Sequence, residues 1–541
     1  MRSPLMTIAV SLAAVWVCAM AVVDYPEEIQ ALEAFLIRQM EWFDGVRPPK
    51  QPPLKQTFGW DTSLCFPPCE LNPPPCCAPP CAPGPLPEMR WRGDTYDHSL
   101  DAIWFTEQAR LDVVSGRDPC GNLGRARRLL DAGIFLGDHD PKGDGRLRAA
   151  YRADNLLNLA GTESSIMDPD AGTGNIAWFG IALTRFYDVA TCAGYVDPGT
   201  RQTYLDGAKA KGQWILDHCS SAGCCGFTGG YGGWSQAPFG WKSTEHNIDV
   251  WTLAQNLYGL TGEAKWATMA SSAACFVQSM YVEVDASTGY YRTGTLADGC
   301  MPNPSPIPAD AQAWTALARR GAVSIDCDDR ATKAMRWLLD NLKGGCECED
   351  LPANGVKFSD VGKNMQCEVT ASAAFALFWL GYETCEAQTF IDLLAWVRVN
   401  AAPPYDAIAD GIGLVATPCS AGTWTGYGPD AWYFRLLHCA SSDWYGLTYL
   451  HVHKGADWAN PLAPVTNRAA PPGDLDRDGD VDLFDFAVFA SCVTGPAIPH
   501  DGSETCQQAD LNQELSVDLS DFGIFQRCYS GEDLADPNCA S

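Results

Sequence analysis

Positive charge is scarce in this 541-residue chain. Lys and Arg together number 37 against 66 Asp and Glu, a net charge of -29. Such a balance repels polyanions, and it excludes nucleic acid and anionic membrane surfaces as partners. Long apolar runs are missing too. The nearest approach, Leu5 to Cys18, is too short to span a bilayer comfortably and has no partner further on, so no membrane span is expected. No sustained apolar/polar alternation proposes a large sheet. Neither an HExxH zinc motif nor a GxSxG nucleophile elbow occurs, which leaves zinc-hydrolase and serine-hydrolase chemistry without their usual anchors.

What is present begins with an export signal. Arg2 supplies a positive n-region, Leu5 to Cys18 the apolar h-region, and Ala19-Met20-Ala21 a small-x-small cleavage site. Residues 1–21 read as a signal peptide, and the mature chain as secreted or cell-surface associated. A lipoprotein anchor at Cys18 fits poorly, because Trp16 and Val17 stand where small residues are expected. Cysteine agrees with export: of 24, 23 remain after Cys18 is removed, many for a reducing cytosol and ordinary in an oxidising compartment. Cys65, Cys69, Cys76, Cys77 and Cys81 crowd into a Pro-rich insert at about 60–88, where disulfides are favoured over a metal cluster. Cys219, Cys224 and Cys225 read the same way, as do Cys346 and Cys348.

From residue 22 to about 458, helix-period apolar segments alternate with loops rich in Gly, Pro and Asp. Five helix pairs begin near Asp94 and Leu123, Gly174 and Arg201, Thr244 and Ala264, Ala309 and Asp328, and Asn364 and Glu386. The first member of each is the more apolar. A sixth apolar helix runs from near Asp430 to about His451, and Pro26 to Asp44 supplies a lone helix at the other end. Ile176 to Leu183 is apolar nearly all round, as a helix buried on every side must be, whereas Arg125 to Leu130 keeps charge on one face. Two concentric rings of six satisfy both patterns. The fold class is therefore mainly α, an (α/α)6 toroid, with an open helical solenoid as the alternative. Residues 459–472, rich in Pro and Ala, read as a linker to residues 473–541.

That tail is acidic, with 15 acidic and 2 basic residues. Asp474, Asp476, Asp478, Asp482 and Asp485 fall at loop positions 1, 3, 5, 9 and 12, with Gly479 at the sharp turn and Asp480 offering its carbonyl. Calcium takes six to eight hard oxygens, and this spacing wraps them round one ion. A second copy offers Asp510, Asn512, Glu514, Ser516, Asp518 and Asp521, but Leu515 replaces the turn glycine, so weaker or distorted binding is expected there. Each loop leads into a matching helix, Asp485 to Cys492 and Asp521 to Cys528, and Cys506 between them could bridge to another cysteine of the module. Two loops, each with a single exiting helix, resemble a type I dockerin over about the last 70 residues. The resemblance implies a small all-α module with Ca2+ as cofactor and a cohesin-type module as partner. A tail that calcium merely folds is the alternative.

Five segments sit at or near the first turns of the inner helices: Tyr96-Asp97-His98-Ser99-Leu100-Asp101, Thr173 to Trp178, Trp241 to Asp249, Asp310 to Trp314 and Glu368 to Ala371. With these, the toroid resembles the six-hairpin glycosidase superfamily, whose members mostly hydrolyse, cleave or epimerise carbohydrates. Glycoside hydrolysis needs one carboxyl group held protonated and another left ionised. Glu245, in the first turn of a helix capped by Ser243 or Thr244, is the candidate acid, with Asp97 or Glu368 as its partner and Asp249 on the same face. Candidate substrate contacts are His246, Asp101, Asn175, Asp310 and the aromatic platforms Trp178, Trp234, Trp241, Trp314 and Trp432. Helix capping and core packing are the rival roles for all of these. The sequence thus reads as a secreted enzyme hydrolysing a polysaccharide or oligosaccharide, with no cofactor for catalysis. A lyase or sugar epimerase using His98, His246 or His438 remains open, as does a non-catalytic carbohydrate-binding or assembly protein.

Overall fold

The computed structural model describes residues 30–34, 36–37, 92–152, 165–221, 223–318, 324–325, 329–401, 413–427, 431–433, 435, 437–465, 473–475, 480–500, 503–512, 514–534 and 539. The signal segment and the Cys/Pro-rich insert lie outside them, as do most of the lone N-terminal helix and the cysteines between 65 and 81.

Eleven labelled helices build the main body: α1 (Thr95–Val114), α2 (Cys120–Asp138), α3 (Thr173–Cys192), α4 (Pro198–Cys219), α5 (Thr244–Thr261), α6 (Ala264–Ser279), α7 (Ala309–Leu317), α8 (Arg330–Asn341), α9 (Cys367–Trp379), α10 (Thr384–Asn400) and α11 (Cys439–Lys454). Each odd-numbered helix packs on the next odd-numbered one, and α11 returns to α1, so the inner ring closes. The even-numbered helices pack outside their predecessors. This is an (α/α)6 toroid. Leu32 and Leu36, from the helical turns at 30–37, join the same core, and Glu33 pairs with Arg125 of α2 at 3.7 Å. Among the described residues no strand exceeds four residues, and no helix is long and apolar enough to cross a membrane.

Burial explains the two rings. Ile176 to Phe186 of α3 is buried on every side, whereas α2 buries Leu123, Ala126, Leu129 and Leu130 and keeps Arg125 and Arg128 toward solvent. Where helices approach closely, glycine makes room. A Cβ on Gly133 would lie 2.3 Å from the Phe179 ring, and one on Gly446 2.4 Å from Trp104. The last inner helix begins at Cys439, not near Asp430, because Trp432–Tyr433 instead pairs with Thr423–Trp424 as a short antiparallel ladder.

The supposed linker starts later than its composition suggests. Asn460 and Leu462 are fully buried. Residues 458–465 cross the C-terminal ends of the inner helices and hydrogen-bond to several of them. Asn460 Nδ2 donates to Leu317 O at 2.8 Å, Val465 N to Asn256 Oδ1 at 2.8 Å, and Arg185 Nη1 to Ala463 O at 3.1 Å. Arg185 is itself held by Glu107 of α1 at 2.7 Å. These residues stopper one end of the ring and leave the other open.

Disulfides fasten the loops at that open end. Cys224 bonds Cys300, Cys225 bonds Cys275, and Cys346 bonds Cys419. Cys219, expected in a bridge, is instead a buried thiol 3.2 Å from the Thr173 hydroxyl. Residues from 473 onward have a core of their own, built on Leu475, Val481, Phe489, Val517 and Phe525. It carries α12 (Leu483–Cys492), α13 (Glu504–Ala509) and α14 (Leu519–Cys528), with Asp480–Val481 pairing Gly531–Leu534. Cys506 does find a partner within it, Cys492, and Cys528 bonds Cys539.

Candidate active site

The N-terminal ends of all six inner helices converge on one open cavity of about 690 Å³, with a smaller chamber of about 170 Å³ at its base. Helix α1 contributes Tyr96 and Asp97, α3 Asn175, α5 Glu245 and His246, α7 Asp310, and α9 Glu368. His438, the N-cap of α11, completes the ring. A helix start suits a carboxylate, because free N–H groups and the helix dipole both favour negative charge. Local sequence fixes each position. Ser243 Oγ accepts from His246 N, and Gln366 Oε1 accepts from Val369 N at 2.7 Å, so Glu245 and Glu368 fall in first turns facing the cavity.

Four of the lining carboxyls differ in their partners. Glu245 has no hydrogen-bond partner among the described residues. Burial, then Asp310 and Glu368 nearby, push its pKa well above the usual carboxylate range. Glu368 also rises through burial, but only to about 7, because Tyr96 and Gln366 hydrogen-bond its charged form. The Tyr96 hydroxyl donates to Glu368 Oε1 at 2.6 Å and accepts from Trp444 Nε1 at 2.9 Å. Asp310 reaches about 7, raised by burial and held back by the Ala311 N–H 2.5 Å from its Oδ1. Asp97 lies well above its usual range through burial, then Asp94 and Glu368, against the Ala440 N–H at 3.1 Å. Burial pulls His246 down to about 4 and His438 to about 3, so both imidazoles are neutral at pH 7. One fully desolvated acid without donors and one acid supplied with them make up the asymmetric pair that acid/base hydrolysis uses.

The candidates separate by depth. Glu245, Asp97, Glu368, His246, Asn175, Asp310 and Trp432 all line the cavity. Asp249 and Asp101 do not: each lies one turn further along its helix and is enclosed in the core, 0% and 1% exposed. Trp178 reaches only the inner chamber, where it stands edge-on to Trp314 at 5.4 Å. Trp234 is 64% exposed on the hairpin pairing 230–232 with 237–238 and does not touch the cavity. His98 is buried with Nε2 2.7 Å from Leu129 O, away from the mouth. Trp241, a platform candidate from the sequence, lines the cavity too, and aromatic walls that the sequence reading passed over are Phe358, Tyr427 and Tyr433. Trp241 leans on His246 at 5.6 Å.

In the tail, Asp476 and Asp478 lie outside the described residues, as does the side chain of Asp480. Asp474 and Asp485 of the first loop are buried, and Asp485 accepts from Leu475 N at 2.6 Å and Asp482 N at 2.8 Å. In the second loop Glu514, Asp518 and Asp521 bring carboxylate oxygens within 4.8 Å of one another. Asp510 accepts from Glu514 N and Leu515 N, and Asp521 from Asn512 N and Asp518 N. Leu515 holds φ of 71°, the left-handed turn for which the first copy has Gly479. The donor set is all oxygen and fits a hard cation such as calcium.

No family model matches the chain, and no curated protein matches it. Solved structures resemble it at low identity. A family 76 glycoside hydrolase from a bovine Bacteroides thetaiotaomicron strain is 13% identical, covering 78% of this chain and 77% of its own, with a TM-score of 0.47. A sugar epimerase from a ruminal bacterium is 13% identical over 79% of this chain and 98% of its own, at 0.48. A glycosidase in complex with glucose is 12% identical over 81% and 99%, at 0.44. The functional reading rests on the cavity, not on these likenesses.

Proposed function

We propose that this chain is a secreted glycoside hydrolase that cleaves glycosidic bonds with Glu245 as general acid and Glu368 as its ionised partner. The observation that carries the reading is the unequal treatment of two carboxyls in one cavity: Glu245 is desolvated with no donor, whereas Glu368 is held by Tyr96 at 2.6 Å. At neutral pH the first keeps its proton for the leaving oxygen. The second, with a pKa of about 7, is ionised in about half of the molecules at that pH and in this form activates water or attacks the anomeric carbon. Asp97 and Asp310 line the same space as acceptors for sugar hydroxyls, and Trp241, Trp432, Tyr427 and Tyr433 offer ring faces for the C–H side of a pyranose. No cofactor takes part in this chemistry.

The test is release of reducing ends from a panel of polysaccharides and oligosaccharides. Glu245→Gln and Glu368→Gln should each lower kcat by about 10²–10⁴-fold on the substrate that wild type cleaves. Full activity in Glu245→Gln would remove the assignment.

One observation favours a second reading. His246 and His438 both face the cavity as neutral imidazoles, and His246 Nδ1 is buried without a hydrogen-bond partner. A sugar epimerase would use such a base to take a carbon-bound proton. Deuterium uptake from heavy water into a free sugar, lost in His246→Gln, would decide for it.

For the tail we propose two calcium-dependent loops in a dockerin-like module that tethers the enzyme to a cohesin-type partner. The convergent oxygens of the second loop and the separate core support this reading. The ion would fold and stiffen the module and would take no part in hydrolysis.

A further inference from the structure

The geometry points to a glycan segment free of acidic groups as the occupant of this cavity, with uronates and sulfated sugars turned away. The inference rests on the cavity being a glycan site, as proposed above.

It starts from a set of acidic side chains with almost no cation among the described lining residues. Five carboxyl side chains line the space: Asp94, Asp97, Glu245, Asp310 and Glu368. Among the described residues, Asp94 is the one of the five with a Lys or Arg partner, the Arg92 guanidinium at 2.6 Å. Lys242 is the sole Lys or Arg among the described lining residues, and its ammonium points elsewhere. Its Nζ donates to Cys224 O at 2.7 Å and Cys225 O at 2.8 Å, tying down the loop stapled by the Cys224–Cys300 and Cys225–Cys275 disulfides. His246 and His438 are neutral, as shown above.

Hydrogen-bonding capacity agrees. Asp310 is 6% exposed and Asp97 5%. Each has one oxygen on a backbone N–H, from Ala311 and Ala440, and a second oxygen with no hydrogen-bond partner among the described residues. Buried acceptors of this kind need donors, and the hydroxyls of an uncharged sugar supply them. A carboxylate or sulfate brings acceptors without donors, and its charge would enter a desolvated space where burial already drives the protein's own carboxyls toward their neutral forms. The same reasoning speaks against a lyase. β-Elimination removes a proton beside a uronate carboxylate, whose charge the site must first neutralise, and the one lysine among the described lining residues is held by the carbonyls of Cys224 and Cys225.

The experiment uses the full chain carrying Glu245→Gln, so that ligand binds without being cut. Calorimetry at low salt would compare neutral polysaccharides with the same polymers oxidised at C6, where each primary alcohol becomes a carboxylate. The expected result is binding of a neutral member and binding at least about tenfold weaker for its oxidised counterpart. The gap should narrow when Asp310→Asn is added. Equal or tighter binding of the oxidised polymer would overturn the inference while leaving a glycan site in place. Binding of neither series by the folded protein would remove the glycan reading and this inference with it.

Discussion

Tyr96 shows how much one side chain can decide. Its hydroxyl bridges Trp444 and Glu368, donating to the carboxylate and thereby favouring the charged form. Tyr96→Phe removes that donor, so the Glu368 pKa must rise from about 7. Because the base has to be ionised, the acid limb of kcat/KM against pH should move upward, by up to about one unit, while the limb set by Glu245 stays near its place. An unchanged profile would mean that Glu368 is not the base. Residue identity was legible in the sequence where a carboxylate stands in a first helical turn, as for Glu245, Asp310 and Glu368. Depth was not. Asp249 and Asp101 share faces with Glu245 and Asp97, but four residues along a helix is roughly 6 Å, enough to pass from the mouth into the core. Tyr427 and Tyr433 carry no periodic signal, and only folding shows which way they turn.

Among the elements, the two loops proposed to bind calcium are the natural pair to compare. Leu515 adopts φ of 71°, a conformation that costs a branched residue about 1–2 kcal/mol. Leu515→Gly should therefore stabilise the calcium-loaded module by up to about 1 kcal/mol, part of the relief being offset by the greater backbone freedom of glycine in the unfolded chain. A calcium titration followed by near-ultraviolet circular dichroism would show it as tighter binding at the weaker site. Chelation should melt the module, less completely than in a disulfide-free relative, since Cys492–Cys506 and Cys528–Cys539 persist without the ion. The loop spacing was readable because each ligand position is local in sequence. The stopper at 458–465 was not: Asn460-Pro461-Leu462 has linker composition, and its partners Leu317, Asn256 and Arg185 lie more than a hundred residues away.

At the scale of the whole molecule, ring closure and the stopper work together. The sequence revealed the ring because inner helices must be apolar on every side while outer ones need only one such face. A chain ending after Val465 should keep the melting temperature of the toroid. One ending at Ala456 exposes the apolar ends of the inner helices and leaves Asn256 and the Leu317 carbonyl without their partners, at about 1–3 kcal/mol for each buried group. Differential scanning calorimetry of the two truncations would read this as a drop of several degrees in the second alone. The central claim is that the open end of this ring hydrolyses a glycosidic bond, and the most direct measurement is the origin of the oxygen at the new chain end. Wild type acting on its polysaccharide in 18O-labelled water should place one heavy oxygen on the newly formed reducing sugar, with Glu245→Gln producing almost none of that product. Cleavage that yields an unsaturated, unlabelled product, or sugar conversion without cleavage, would contradict it.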